Sequence, residues 1–230
     1  MRRVSIQQGE GPSGLRVMKF TLTYQGELRA NDDFRRKWAI RSHFHPQLEE
    51  LWQISPTLQR VWRQRMVPPG GWMRLETHHS LDRDLNPNHE QITAGAVSPQ
   101  MDLCAPIPVG GRNFRPLVRD SYALLCGLNI TFLRKEDPGR IYQGGDLDNR
   151  LKTLLDALSI PDPQQIVNDG ETADPIFCLM ENDRLVSSLN VNTQRLLGAQ
   201  NVTKHEVSLV IEVDVRVAQS RVYNHPFLGD

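Results

Sequence analysis

Apolar and polar positions alternate over three stretches of the chain. Phe20, Leu22 and Tyr24 alternate with threonines and other polar residues. Leu124, Cys126, Leu128, Ile130 and Phe132 recur at the same spacing, as do Val207, Leu209, Ile211, Val213, Val215 and Val217. A period of two places these residues on one face of a strand, so each stretch predicts a half-buried strand. Elsewhere the spacing is three and four. Leu147, Leu151, Leu154, Leu155 and Leu158 mark one buried face of a helix. Residues 31–66 are helical by the same test. Asn31 or Asp32 offers a cap, and Pro46 opens a second stretch with Leu48, Leu51 and Trp52. Ser55 then caps a third, with Pro56 at its first position and Leu58, Val61 and Trp62 along one side.

The remainder is punctuation. Residues 1–17 and 219–230 read as tails. "VPPGG" at 67–71 ends the helical part, "PVGGRNFRP" reads as a loop, and "EDPG" at 136–139 reads as a turn. Short strand candidates lie at 72–76 and 94–98, and "IFCLMENDRLVSSLNV" offers one or two strands with "ENDR" as a turn. Strands and helices come in separate runs, which favours an α+β fold over a doubly wound one. The expectation is one domain over about 18–218, a mixed β-sheet with a packed helix at 146–158 and an inserted helical arm at about 31–66.

Composition narrows the class. The chain of 230 residues has no apolar run long enough to span a bilayer, and the basic start "MRRVSIQQGEGPSG" has no apolar stretch behind it. No membrane association and a cytoplasmic location are the expectations. The three cysteines are odd in number and form no CxxC pair, which argues against a disulfide framework or a zinc knuckle, and Cys126 reads as a core residue. Net charge is zero, but it is unevenly spread. Residues 1–145 carry 20 Lys+Arg against 14 Asp+Glu, and the rest carries 7 against 13. A basic surface beside an acidic site would give that split, and so would ordinary surface variation.

Candidate chemistry gathers on the helix "GGDLDNRLKTLLDAL" at 144–158. On a helical wheel with Leu147 at zero, Asp148, Lys152 and Asp156 fall at roughly 100°, 140° and 180°, a single polar flank beside the leucines. One account is structural: Asp146 or Asp148 caps the helix, and Lys152 pairs with Asp148 or Asp156 at i, i+4. The other is functional. Two carboxylates one residue apart, after two glycines that let a backbone approach, can converge on a hard cation such as Mg²⁺ or Mn²⁺. A phosphodiesterase needs a further carboxylate, and Asp183 in "MENDRLV" is the best candidate.

These residues resemble the signature of RusA-type Holliday junction resolvases. That family shows D-x-D-N-x-x-K-x-x-L-D-A-L followed by D-D-x-x-V. The first motif is matched by Asp146, Asp148, Asn149, Lys152, Leu155, Asp156, Ala157 and Leu158 with nothing inserted. In the second, Asp183 takes the later aspartate position, while Asn182 replaces the earlier one, and the gap between the motifs is longer. The similarity covers residues 122–190 and extends to the strand and turn "FTLTYQGELRAN". The resemblance implies a homodimer that binds branched DNA and cuts it with Mg²⁺ in recombination and repair. It implies Asp146, Asp148 and Asp183 as metal ligands and Lys152 as a contact to the phosphate or the attacking water. Asp156 is expected to be structural, orienting Lys152. The helical arm and residues 67–120 have no counterpart in the compact resolvases.

The arm itself is basic. Arg35, Arg36, Lys37, Arg41, Arg60 and Arg63 are interleaved with Trp38, Trp52 and Trp62. They form either a surface for DNA phosphates or a solvated face over a tryptophan core. Arg2 and Arg3 could touch DNA from a tail. His43 and His45, and His78 and His79, lack metal-ligand spacing. Three functions stay open: a structure-selective endodeoxyribonuclease, a nuclease of the same fold with another nucleic-acid substrate, and a DNA-binding or interaction module without catalysis.

Overall fold

The structure, a computed structural model, describes residues 7–10, 16–63, 66–67, 101–102, 104–135, 146–167, 174–198, 203, 205–218, 224 and 227. Outside the described residues lie the strand candidates at 72–76 and 94–98, the turn at 136–139, Gly144 and Gly145, Arg2 and Arg3, and the His78–His79 pair. Among the described residues the fold is α+β, with mixed sheets and three α-helices.

The larger sheet has five strands: β1 (Gln7–Glu10), β2 (Arg16–Glu27), β7 (Leu124–Arg134), β9 (Val186–Arg195) and β10 (Glu206–Val217), in the order β1-β2-β10-β7-β9. β10 runs antiparallel to both β2 and β7, with Thr23 and Thr131 facing Val210, and β7 runs parallel to β9. The alternation read from the sequence holds here. Phe20, Leu22, Ile130, Phe132, Leu209 and Ile211 are all buried on one face. The first seventeen residues are not all tail, because Gln7–Glu10 pairs with the start of β2.

The arm is not an appendage. α1 (Phe34–Ile54) and α2 (Pro56–Arg63) bury Ile40, Phe44, Leu48, Leu51, Trp52, Leu58 and Val61 in the same core as the sheet. The N-cap of α1 is Asp33, whose side chain accepts the Arg36 N–H at 2.9 Å. Neither Asn31 nor Asp32 caps it, since Asn31 has left-handed φ of 56° and Asp32 accepts from the Arg29 N–H instead. Pro46 does not open a new helix either. It lies inside α1, where buried Phe44 and Leu48 on either side hold the helix together against the loss of one backbone donor. Ser55 caps α2 as its sequence suggests, with its hydroxyl accepting the Leu58 N–H at 3.4 Å.

A smaller sheet, in the order β5-β6-β8, comprises β5 (Ile107–Val109), β6 (Arg112–Val118) and β8 (Ile176–Met180). A two-residue pair, β3 (Met66–Val67) with β4 (Met101–Asp102), stands apart. The stretch read as a loop is a β-hairpin. Gly110 and Gly111, at φ 53° and 85°, make a two-residue turn that requires positive φ twice. β8 packs along α1, and the Phe177 N–H on its edge donates to His45 Nδ1 at 3.0 Å. α3 (Asp146–Leu158) lies against α1 and the main core through Leu151, Leu154, Ala157 and Leu158.

Candidate functional site

α3 presents its polar flank to a cleft of about 400 Å³. Lys152 and Asp156 form its α3 wall, and Asp162 and Gln165 come from the segment after the helix. Asn182 and Asp183 come from the turn after β8, and Lys37 comes from α1. Two residues singled out from separate motifs, Lys152 and Asp183, therefore share one cleft. The parallel β6–β8 pairing and the bridge between Ser159 and Met180 place the end of α3 beside the end of β8, which brings them together.

The ion pairs differ from the simple helix account. Asp156 does not pair with Lys152. It binds Lys37, with Nζ to Oδ2 at 2.7 Å. Among the described residues Lys152 makes no ion pair with Asp148 either, and both side chains are exposed. Asp183 is exposed at the start of a one-turn 3-10 helix. Asn182 caps that turn, its side-chain oxygen accepting the Arg184 N–H at 3.1 Å.

Of the residues expected to bind a metal, Asp146 begins α3, but its side chain lies outside the described residues. Asp148 is not part of the cleft wall. Among the described residues no group of three or more His, Cys, Asp or Glu side chains is placed to hold a metal ion. Thiol chemistry has no foothold either. Burial pushes the Cys126 and Cys178 thiols up to about 12, which keeps them protonated at neutral pH.

The expected DNA surface on α1 and α2 is divided among several tasks. Arg41 is a correction: it is buried, and its guanidinium donates to the backbone oxygens of Asp156 at 2.7 Å and Ser159 at 3.1 Å. It satisfies the end of α3, where helix carbonyls lack partners, and is closed to any outside ligand. Burial lowers its pKa to about 10, so it remains a cation at neutral pH. Arg36 is bound to Glu27 at 2.8 Å. Lys37 is in the cleft. Arg35 is exposed beside the Phe34 ring, and Arg60 is half-buried near Thr57. Trp38 and Trp52 are core, while Trp62 is partly exposed.

The sequence reading missed a second cavity of about 380 Å³, lined by Trp52, Trp62, Phe177, Arg115, Arg63 and Glu49, among others. The Arg115 guanidinium lies 4.7 Å from the Trp62 ring centre and 5.3 Å from that of Phe177. The tryptophans and Arg63 stood out in the sequence, but Arg115 and Phe177 reach the cavity from the smaller sheet. Compared with protein-family models, curated proteins and solved structures, the chain matches none. Among the described residues no helix is long and apolar enough to cross a membrane.

Proposed function

We propose that the protein is a structure-selective endodeoxyribonuclease acting on Holliday junctions or related branched DNA, with the cleft at the end of α3 as its phosphate site. One observation carries the reading. Lys152 stands in a cleft beside Asp183 with neither helical carboxylate paired to it, because Asp156 is taken by Lys37. Asp156, the less exposed of the two, is the carboxylate that would gain from an i, i+4 pair with Lys152, and it is held by Lys37 instead. An ammonium kept for an incoming anion would not form one. Lys152 supplies a compact positive charge to a phosphodiester, and Asp183 is placed to orient water or accept a proton at the same cleft.

The matched motif supports Mg²⁺ as cofactor and Asp146, Asp148 and Asp183 as its ligands. Asp148 and Asp183, the two described members of that set, are both exposed to solvent and open to a cation. A homodimer with two such clefts facing one junction is part of the same proposal. The neutral side chain of Asn182 beside Asp183 in the cleft wall favours a second reading, a module that binds branched DNA without cutting it. A synthetic four-way junction and a linear duplex, each incubated in Mg²⁺ with wild type and Lys152→Met, separate the two. Cleavage of the junction that drops at least about a hundredfold in the variant supports the enzyme, since charge stabilisation at a transferring phosphoryl group contributes on that scale. Junction binding without cleavage by wild type supports the module. Neither binding nor cleavage removes both.

A further inference from the structure

We infer that Lys37 is a positioning residue: by holding Asp156, it keeps that carboxylate off Lys152 and leaves the Lys152 ammonium available to a ligand anion. The inference rests on the phosphate-site reading of the cleft.

Asp156 is in an awkward place. It sits in the last turn of α3, where the helix dipole disfavours negative charge, and its side chain is only 31% exposed. A carboxylate so placed needs a cation, because water reaches too little of it. Besides Arg41, whose guanidinium is held on the backbone oxygens of Asp156 and Ser159, two cations are within reach. Lys152 is one turn earlier on the same flank and lines the same cleft. Lys37 comes from another element, is 17% exposed, and is the one that binds at 2.7 Å.

The next residues show how that choice is enforced. Arg41, one turn beyond Lys37 on α1, clasps the Asp156 and Ser159 backbone oxygens. The two α1 cations together fix the end of α3 against α1 and draw the Asp156 side chain to that side. Asp148 needs no such restraint. It is exposed, so water solvates it, and it has little to gain from Lys152. Without Lys37, Arg41 stays on the backbone oxygens of Asp156 and Ser159, Lys152 is the ammonium left to the Asp156 carboxylate, and the charge in the cleft is quenched from within.

The test reads Lys152 directly, without reference to catalysis. The folded protein is treated with limiting acetic anhydride, and acetylation at Lys152 is followed by peptide mass spectrometry. An ammonium engaged by a carboxylate reacts more slowly. Lys37→Met should slow Lys152 by about two- to tenfold, the range spanned by an exposed i, i+4 pair and a partly buried one. The double variant Lys37→Met/Asp156→Asn should return to within about twofold of wild type. Asp156→Asn alone, which keeps the carbonyl that Arg41 uses, should leave the Lys152 rate unchanged. An increase in Asp156→Asn would mean that Asp156 already engages Lys152, and would overturn the inference. So would an unchanged rate in Lys37→Met, or a slow rate in both Lys37→Met and the double variant. Junction cleavage should fall and recover in the same order. If no variant, wild type included, cleaves or binds a junction, the nuclease reading fails, while the acetylation series still decides the role of Lys37.

Discussion

Strands β10 and β8 are both apolar, and they are buried differently. Along β10, Val207, Leu209, Ile211, Val213 and Val215 are buried while Glu212 and Arg216 are exposed, so one face meets the core and the other meets water. All five residues of β8, from Ile176 to Met180, are buried. Phe177 and Leu179 join the main core. Ile176 and Cys178 join a second cluster with Trp38 and Phe114, packed by Ile160, Ile166 and Val167 from the segment after α3. The small sheet is covered on both faces, and what covers its second face is the segment that also walls the cleft. The large sheet builds the molecule's bulk, and the small one fixes the cleft's shape.

The most damaging test of this contrast is an alanine series along both strands. Ile176→Ala and Phe177→Ala, adjacent in β8, should each cost about 2–5 kcal/mol. On β10, Ile211→Ala should cost about 2–5 kcal/mol and its neighbour Glu212→Ala less than about 0.5 kcal/mol. Urea unfolding of the four variants checks it. Alternating costs along β8 would mean that one of its faces is open.

The hairpin turn gives a finer test. A Cβ on Gly110 would come within 2.5 Å of Ile166 Cδ1 and 3.0 Å of the Pro163 carbonyl oxygen, both in the segment that walls the cleft. Gly111 has nothing within 4 Å. Both have positive φ, so each alanine carries conformational strain of about 1 kcal/mol. Gly110→Ala adds overpacking, for a total of about 2–4 kcal/mol. Equal thermal midpoints for the two variants would show that the turn does not buttress the segment.

The smallest effect concerns pH. Burial lowers the pKa of His45, which accepts the Phe177 N–H as neutral imidazole. Below its unfolded value of about 6.5 the unfolded chain takes up the proton first, so stability falls as pH drops from there towards the lowered folded value. His45→Gln keeps an acceptor but no titration, and should flatten the decline in thermal midpoint between about pH 7 and 5.

What the sequence made legible follows the same division. β2, β7 and β10 were readable because half-burial writes itself as alternation, with Leu22, Ile130 and Ile211 falling where expected. α3 was readable from its leucines. Pro46 misled, because packing around Phe44 and Leu48 outweighs one missing donor. Gly110 and Gly111 read as loop residues because glycine pairs serve loops and tight hairpins alike. At the candidate site, Lys152 and Asp183 could be named from spacing and motif. Lys37 could be named only as part of a basic run, because its partner Asp156 lies 119 residues away and nothing local marks the contact. The basic run around it read as a surface for the same reason.

The pairing of β2 with β10 bears on how the chain reaches this state. Thr23 faces Val210, so the middle of the large sheet joins segments from opposite ends of the sequence. Such a contact closes a very long loop, and its entropy must be met before the pairing returns anything. Until β10 arrives, α1 is the described neighbour close in sequence that can cover the apolar side of β2, through Phe44 and its neighbours. The order of assembly should therefore begin with β2 against α1, a local unit that hides Phe20, Leu22 and Tyr24. The central strand enters last, between β2 and β7, and locks both at once. Folding in the test tube should be slow for a protein of this size and sensitive to substitutions in α1 that leave the finished sheet untouched.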